Sequence, residues 1–406
     1  MSARPDAVDG ALERAIHAAC FAPGSAGEPP RLGAEAEVIP VLASGRVAPI
    51  DDGRGGGTLA ALRRLGAERG WTEHRTCKGT PAFALPDGGA ITFEPGGQIE
   101  YGAPPARSAS ALAASIEDVI GAMRDVASGA GIELLAVGID PVNRVEDAPL
   151  QLRADRYVRM AEYFATIGPC GARMMRQTAA LQVSLDRGPA PAERWRLLNA
   201  LAPWLVALFA TSPRYAGADT GFASYRSAVW RGVDERRTGI FPGCDPAREY
   251  ARFALEAPAM LLGPRNGAYE PFAGWLARGE ATRDDWDAHL TTLFPEVRPR
   301  GYLEVRSCDA LPPERVIAPL VFLSGLAYHE PSTRAALELL GDPDAALLAR
   351  AAREGGAEPT IARVAPSLVE LAVAGARALG AEFVRGDDVD RAREILSRPA
   401  AGSPGH

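Results

Sequence analysis

The sequence predicts an α+β fold, an antiparallel sheet with one polar face backed by helices. Three observations carry that prediction. Segments that alternate polar with apolar residues recur at 31–42, 90–101, 179–186 and 301–309. Segments with helical spacing lie between them, but not as regular βαβ units. From about residue 313 onward the pattern is helical, interrupted by Gly and Pro near 341 and 355.

Taken in chain order, residues 6–22 have helical spacing and 31–42 alternate as a strand before "SGR" turns the chain. Residues 57–69 read as an amphipathic helix. Residues 90–101 read as a strand broken by Pro95-Gly96-Gly97. A long helix follows at 108–130, with Ser108 or Ser110 as its N-cap. "IELLAVGIDP" is a short apolar strand, 153–166 is helical, and "AALQVSLD" alternates cleanly. Helices are expected at 191–211, 246–256 and 282–293, then the strand "GYLEVRSCD". The tail "RPAAGSPGH" has a disordered composition. The expected organisation is an N-terminal helix in 1–27, a catalytic core over 28–335, C-terminal helices over 336–398 packed on that core, and a disordered tail over 399–406.

Bulk composition narrows the function classes. The chain has 406 residues, 47% hydrophobic and 23% charged, enough apolar material for a large core. A net charge of -7 argues against a general nucleic-acid binder. The N-terminus "MSARPDAVDG" lacks the apolar stretch of a signal peptide. The longest apolar run, "LNALAPWLVALFA", contains Pro203 and reads as a buried helix and not a membrane span. Cys20, Cys77, Cys170, Cys244 and Cys308 are scattered without a CxxC pair, against thiolate metal sites and disulfide scaffolds. Lys78 is the single lysine. A cytoplasmic enzyme is expected, and nothing demands an oligomer or a membrane.

The polar faces of the strands are rich in acids. Glu35 and Glu37 are two apart and share a face, as do Gln98 and Glu100. Glu94 precedes the turn, so the period does not fix its direction. Glu304 and Arg306 share a face opposite Leu303 and Val305, and Gln182 shares one with Ser184 and Asp186. Two readings are open. Either these are the solvated faces of an ordinary sheet, or they meet in one funnel whose carboxylates bind Mg²⁺ while arginine takes phosphate. No GxxxxGK[ST] loop is present, so a P-loop cannot be the phosphate cradle.

Five segments, "RLGAEAEVI", "ITFEPGGQIEYGAPP", "MMRQTAALQVSLD", "TSPRYAGADTGFASYRSAVWRGVDERRTGIF" and "HLTTLFPEVRPRGYLEVRSCD", occur in this order over roughly 28–335. In them the sequence resembles the plant-type glutamate–cysteine ligase family, which has bacterial members in glutathione and ergothioneine biosynthesis. The resemblance implies a glutamine-synthetase-like funnel made by a curved antiparallel sheet. It also implies ATP-dependent ligation of glutamate to cysteine through a γ-glutamyl phosphate, with Mg²⁺. A related ligase using another amine, or a non-catalytic ligand-binding relative, is the alternative. By the same resemblance Glu35, Glu37, Glu94 and Glu304 would hold metal, and Glu100 metal or the substrate amine. Arg306 would contact phosphate, Arg226 would clamp a substrate carboxylate, and Gln182, Trp230 and Arg237 would contact substrate. Trp230 reads equally as core packing, and Arg237 as part of a solvated charge run. The cysteine that follows the arginine-threonine pair in plant members is absent from "RQTAALQ".

Overall fold

The computed structural model describes residues 5–24 and 30–398, so the expected tail and the boundary drawn at 27/28 lie outside the described residues. Strand β1 (Leu32–Leu42) is the axis of the fold. After it come β2 (Thr72–Arg75), β3 (Pro81–Ala84), β4 (Ala90–Phe93) and β5 (Ile99–Gly102), then β6 (Ile132–Leu135), β7 (Ala180–Leu185), β8 (Val297–Pro299) and β9 (Leu303–Asp309). They form one nine-stranded sheet in the order β8-β9-β7-β1-β5-β4-β3-β2, with β6 pairing the far half of β1. Every pairing in it is antiparallel.

Period-two alternation gives the sheet its two faces. Ala34, Ala36 and Val38 of β1, Leu181 and Val183 of β7, and Leu303 and Val305 of β9 are buried in the apolar core. Helices α1 (Ala109–Ser128), α4 (Pro191–Leu208) and α6 (Ile317–Tyr328) pack on that side. Ser108 caps α1 by accepting a hydrogen bond from Ala111 N at 3.2 Å. Helix α4 runs through Pro203 without ending and is buried over nearly its whole length. Helices α2 (Asp155–Ala165), α3 (Pro169–Gln177) and α5 (Tyr225–Arg231) complete the surroundings of the site.

The C-terminal helices stack behind α6. Helix α7 (Pro359–Ala378) crosses it backbone against backbone. A Cβ on Gly325 would sit 2.0 Å from Ala372 O, and one on Gly375 would sit 2.1 Å from Gly325 O. Only glycine fits at either position. Among the described residues, no helix is long and apolar enough to cross a membrane, and all five cysteines are free thiols.

Candidate active site

The register of the sheet assembles the acids. Glu35 lies opposite Gln182 on β7, and Glu37 lies opposite Glu100 on β5. Glu94 ends β4 and enters a tight turn in which its N–H donates to Gln98 O and Gly97 N–H donates to Glu94 O, each at 2.8 Å. Gly97 has φ of +98°, and a Cβ on Gly96 would meet Arg176 O at 2.1 Å. The two glycines thus let the turn press against the end of α3. Gln98 staples it there, accepting from Gly96 N at 3.1 Å and donating to Thr178 O at 2.8 Å.

These residues line one cavity of about 520 Å³. Glu35, Glu37, Glu94 and Glu100 face it together with Lys78, Arg156, Arg298, Arg300 and Arg306. Burial, then mutual repulsion, raises all four carboxylates above their usual range. Glu37 is pushed up to about 7 by burial and Glu94, and Glu100 is raised well above normal by burial, Glu35 and Glu94. Glu35 is raised by burial and Glu304, and Glu94 by burial despite Lys78. Three buried N–H groups on lining residues have no partner among the described residues, Trp230 Nε1, Arg306 Nε and Arg156 Nε. Orphaned donors in a cationic cavity suit a ligand rich in anionic oxygens.

Of the residues picked out by sequence, Glu35, Glu37, Glu94, Glu100, Gln182, Trp230 and Arg306 meet at this cavity. Gln182 donates to Glu37 at 3.0 Å and accepts from Arg306, tying acid to cation. Three of the expected residues do not reach the cavity wall. Glu304 does not line the cavity. It is fully buried beneath it, held by Arg298 at 2.7 Å, Arg306 at 2.6 Å and Arg300 at 3.3 Å. Burial would raise its carboxyl, but Arg298 and Arg306 outweigh that and hold it at about 2. Both of its oxygens are occupied by guanidinium groups, and it holds those three arginines together. Arg226 also lies behind the wall. It donates to Arg306 O at 3.0 Å and stands 3.9 Å from Asp309, and its guanidinium lies 5.1 Å from the Trp230 ring centre. Arg237 is fully buried away from the cavity, donating to Thr292 O, Thr292 Oγ1 and Pro258 O and pairing with Asp234 at 3.5 Å.

Trp230 has two cationic neighbours, since Arg306 lies 5.1 Å from the same ring centre as Arg226. A one-residue bulge after Val305 turns β9 next to Arg306, a common device beside active sites. Sequence reasoning missed Lys78, Arg156, Arg298 and Arg300. Arg298 and Arg300 stood within the quoted "FPEVRPRGYLEVR" stretch, and the solitude of Lys78 was a signal left unused.

A larger cavity of about 600 Å³ lies beside the start of β1 and the end of β7, at Arg31, Asp186 and Tyr328. Its one acid, Asp186, is paired with Arg194 at 2.8 Å, so it lacks the acid cluster. In the first cavity no three carboxylates among the described residues converge tightly enough to hold an ion unaided. The four repelling acids nonetheless fit a divalent cation that completes its shell with substrate oxygens and water, as Mg²⁺ does.

Residues 31–383 match the glutamate-cysteine ligase family 2 (GCS2). The chain belongs to that family. The match contains all nine strands and every lining carboxylate of the cavity. Within it, the chain is 37% identical over 308 residues to the glutamate–cysteine ligase EgtA of Mycolicibacterium smegmatis, covering 71% of each. It is 35% identical over 271 residues to the chloroplastic glutamate–cysteine ligase of Arabidopsis thaliana, covering 62% of this chain and 52% of that one. The aligned stretch thus spans about half the length of the plant relative. The crystal structure of the glutamate–cysteine ligase of Francisella tularensis in complex with AMP superimposes with a TM-score of 0.51 at 12% identity. That alignment covers 91% of this chain and 81% of the other. The likeness establishes a glutamine-synthetase-like ligase fold.

Proposed function

We propose that this chain ligates the γ-carboxylate of L-glutamate to the amine of L-cysteine at the expense of ATP. The observation that carries the reading is the cavity itself. Four half-buried carboxylates from the sheet face one cavity with five cations, in a chain of the glutamate–cysteine ligase family. The chemistry has two displacements. An oxygen of the γ-carboxylate attacks the γ-phosphorus of ATP and ADP leaves. The acceptor nitrogen then attacks the acyl carbon, the bond to phosphate breaks, and the nitrogen loses a proton.

Arg306, Arg298 and Arg300 are assigned to the phosphate oxygens, with Glu304 holding the three guanidinium groups in place. Glu35, Glu37 and Glu94 would hold Mg²⁺, which neutralises phosphate charge. Glu100 is assigned to the acceptor amine, accepting from Thr92 Oγ1 at 2.9 Å on its other side. Gln182 keeps Glu37 and Arg306 in register. Met174, Met175, Phe294 and Trp230 form an apolar wall that excludes water from the acyl phosphate. Arg226 supports this wall through Trp230 and does not itself clamp substrate.

Release of ADP with glutamate, with and without cysteine, tests the reading. Release that requires cysteine and yields the dipeptide is the expected result. Release with another amine alone would assign a different ligase, and no release with any amine would sink the proposal.

A further inference from the structure

Lysine is nearly absent from this chain, yet its single copy lines the active-site cavity, which takes in 20 of the 406 residues. A lysine placed without regard to function would land there about one time in twenty. Lys78 sits in the tight turn between β2 and β3, closed by Thr76 N–H to Thr80 O at 2.9 Å and Gly79 N–H to Thr76 O at 2.8 Å. Its ammonium lies 5.7 Å from the centre of the Tyr157 ring. The Arg156 guanidinium lies at the same distance from the same ring. Two like charges therefore lie near one aromatic ring, and neither forms an ion pair with a carboxylate among the described residues. Burial and then Arg156 lower the Lys78 ammonium from its usual range, although Glu94 and Glu100 in the same cavity act to raise it.

The cavity thus has two cationic ends. Arg298, Arg300 and Arg306 gather at Glu304, three guanidinium groups suited to a polyphosphate. Lys78 and Arg156 form the other end, suited to a single carboxylate. Arg156 Nε is one of the orphaned donors, while its other nitrogens reach Thr291 Oγ1 at 3.0 Å and Met160 Sδ at 3.8 Å. Met160, Met174 and Met175 line the same cavity.

We propose that Lys78 and Arg156 anchor the carboxylate of the acceptor amino acid, whose thiol side chain is received by the wall of Met160, Met174 and Met175. The inference rests on the ligase reading and adds the acceptor's subsite to it. A methionine wall offers polarisable contact to a small soft side chain and only a weak acceptor to a hydroxyl. Serine, which must bury its hydroxyl there, is disfavoured by roughly a hundredfold.

The test crosses a deletion in the protein with a deletion in the substrate. Cysteamine is cysteine without its carboxylate. Lys78→Met is expected to lower kcat/KM for cysteine roughly tenfold or more, to leave that for cysteamine unchanged, and to keep KM for ATP and glutamate within about twofold. Lys78→Arg restores part of the loss, and the wild type takes 2-aminobutyrate better than serine. An equal loss with cysteine and cysteamine, or a rise in KM for ATP, overturns the assignment. A wild type that releases no ADP with any acceptor removes the ligase reading first, and this subsite with it.

Discussion

Glu35 and Glu37 show how far a two-residue period reaches. It places both on one face of β1, and pairing with β5 and β7 brings Glu100 and Gln182 alongside. On the proposed assignment, replacing Glu37 by Gln removes a metal oxygen and relieves repulsion, but it also leaves one of the donors Ala180 N–H and Gln182 Nε2 without an acceptor. Ligation is expected to fall at least a hundredfold while the thermal midpoint moves little, as read by ADP release and calorimetry. Near-normal activity at limiting Mg²⁺ would end the metal assignment. Arg226→Lys separates two roles. As a clamp, Arg226 would raise KM for one amino acid when changed. As the prop behind Trp230 and Arg306, its loss lowers kcat about tenfold with no single KM singled out, because lysine cannot stack as guanidinium does. Steady-state kinetics with each substrate varied in turn decides between them. The distinction was not legible in the sequence. Spacing marks a residue as chemically able, but Arg226 and Arg237 differ from Arg306 only in what the chain folds around them. Glu304 was misplaced for a related reason, since two of its three arginines come from the neighbouring strand and its approach.

At the scale of elements, the long periodic segments were readable and the short edge pieces were not. Strands β1, β7 and β9 alternate over six or more residues and sit where the pattern puts them. β2, "TEHR", is exposed at every position, so it has no apolar phase to detect. It exists because β3 offers it hydrogen-bonding partners. Helix α3 hides because Gly and Pro at its start read as a loop, and α5 is only seven residues long. The β4–β5 turn was read as a break in a strand; folded, it is the device that sets Glu94 against α3. Gly96→Ala drives a methyl into Arg176 O. A loss of about 1–3 kcal/mol in urea unfolding is expected, together with reduced ligation as Glu94 shifts. Unchanged stability would mean that the turn can move away from α3 freely.

Over the whole molecule, one buried histidine links stability to pH. His289, on the helix Arg283–Leu290, contacts Ala254 O through Nε2 at 2.8 Å and stacks on Phe272 at 4.5 Å. Burial and then Arg237 lower it to about 3. Unfolded, it takes a proton near pH 6.5. Between those values the unfolded chain binds the extra proton, so stability is full above about pH 6.5 and declines as pH falls toward 3. The slope from this residue approaches 1.4 kcal/mol per pH unit. His289→Gln keeps a donor for Ala254 O and should flatten that slope in urea titrations at pH 6 and 4.5; an unchanged slope would acquit the histidine. The crossing of α6 and α7 has a different consequence. Where two helices touch through bare backbone at Gly325 and Gly375, no side chain remains to yield, so the rear of the molecule has almost no compliance. The edge at β2 is paired on one side only and exposed throughout. Backbone hydrogen exchange is therefore expected to be fastest at the hairpin that carries Lys78 and slowest at the crossing of Gly325 and Gly375.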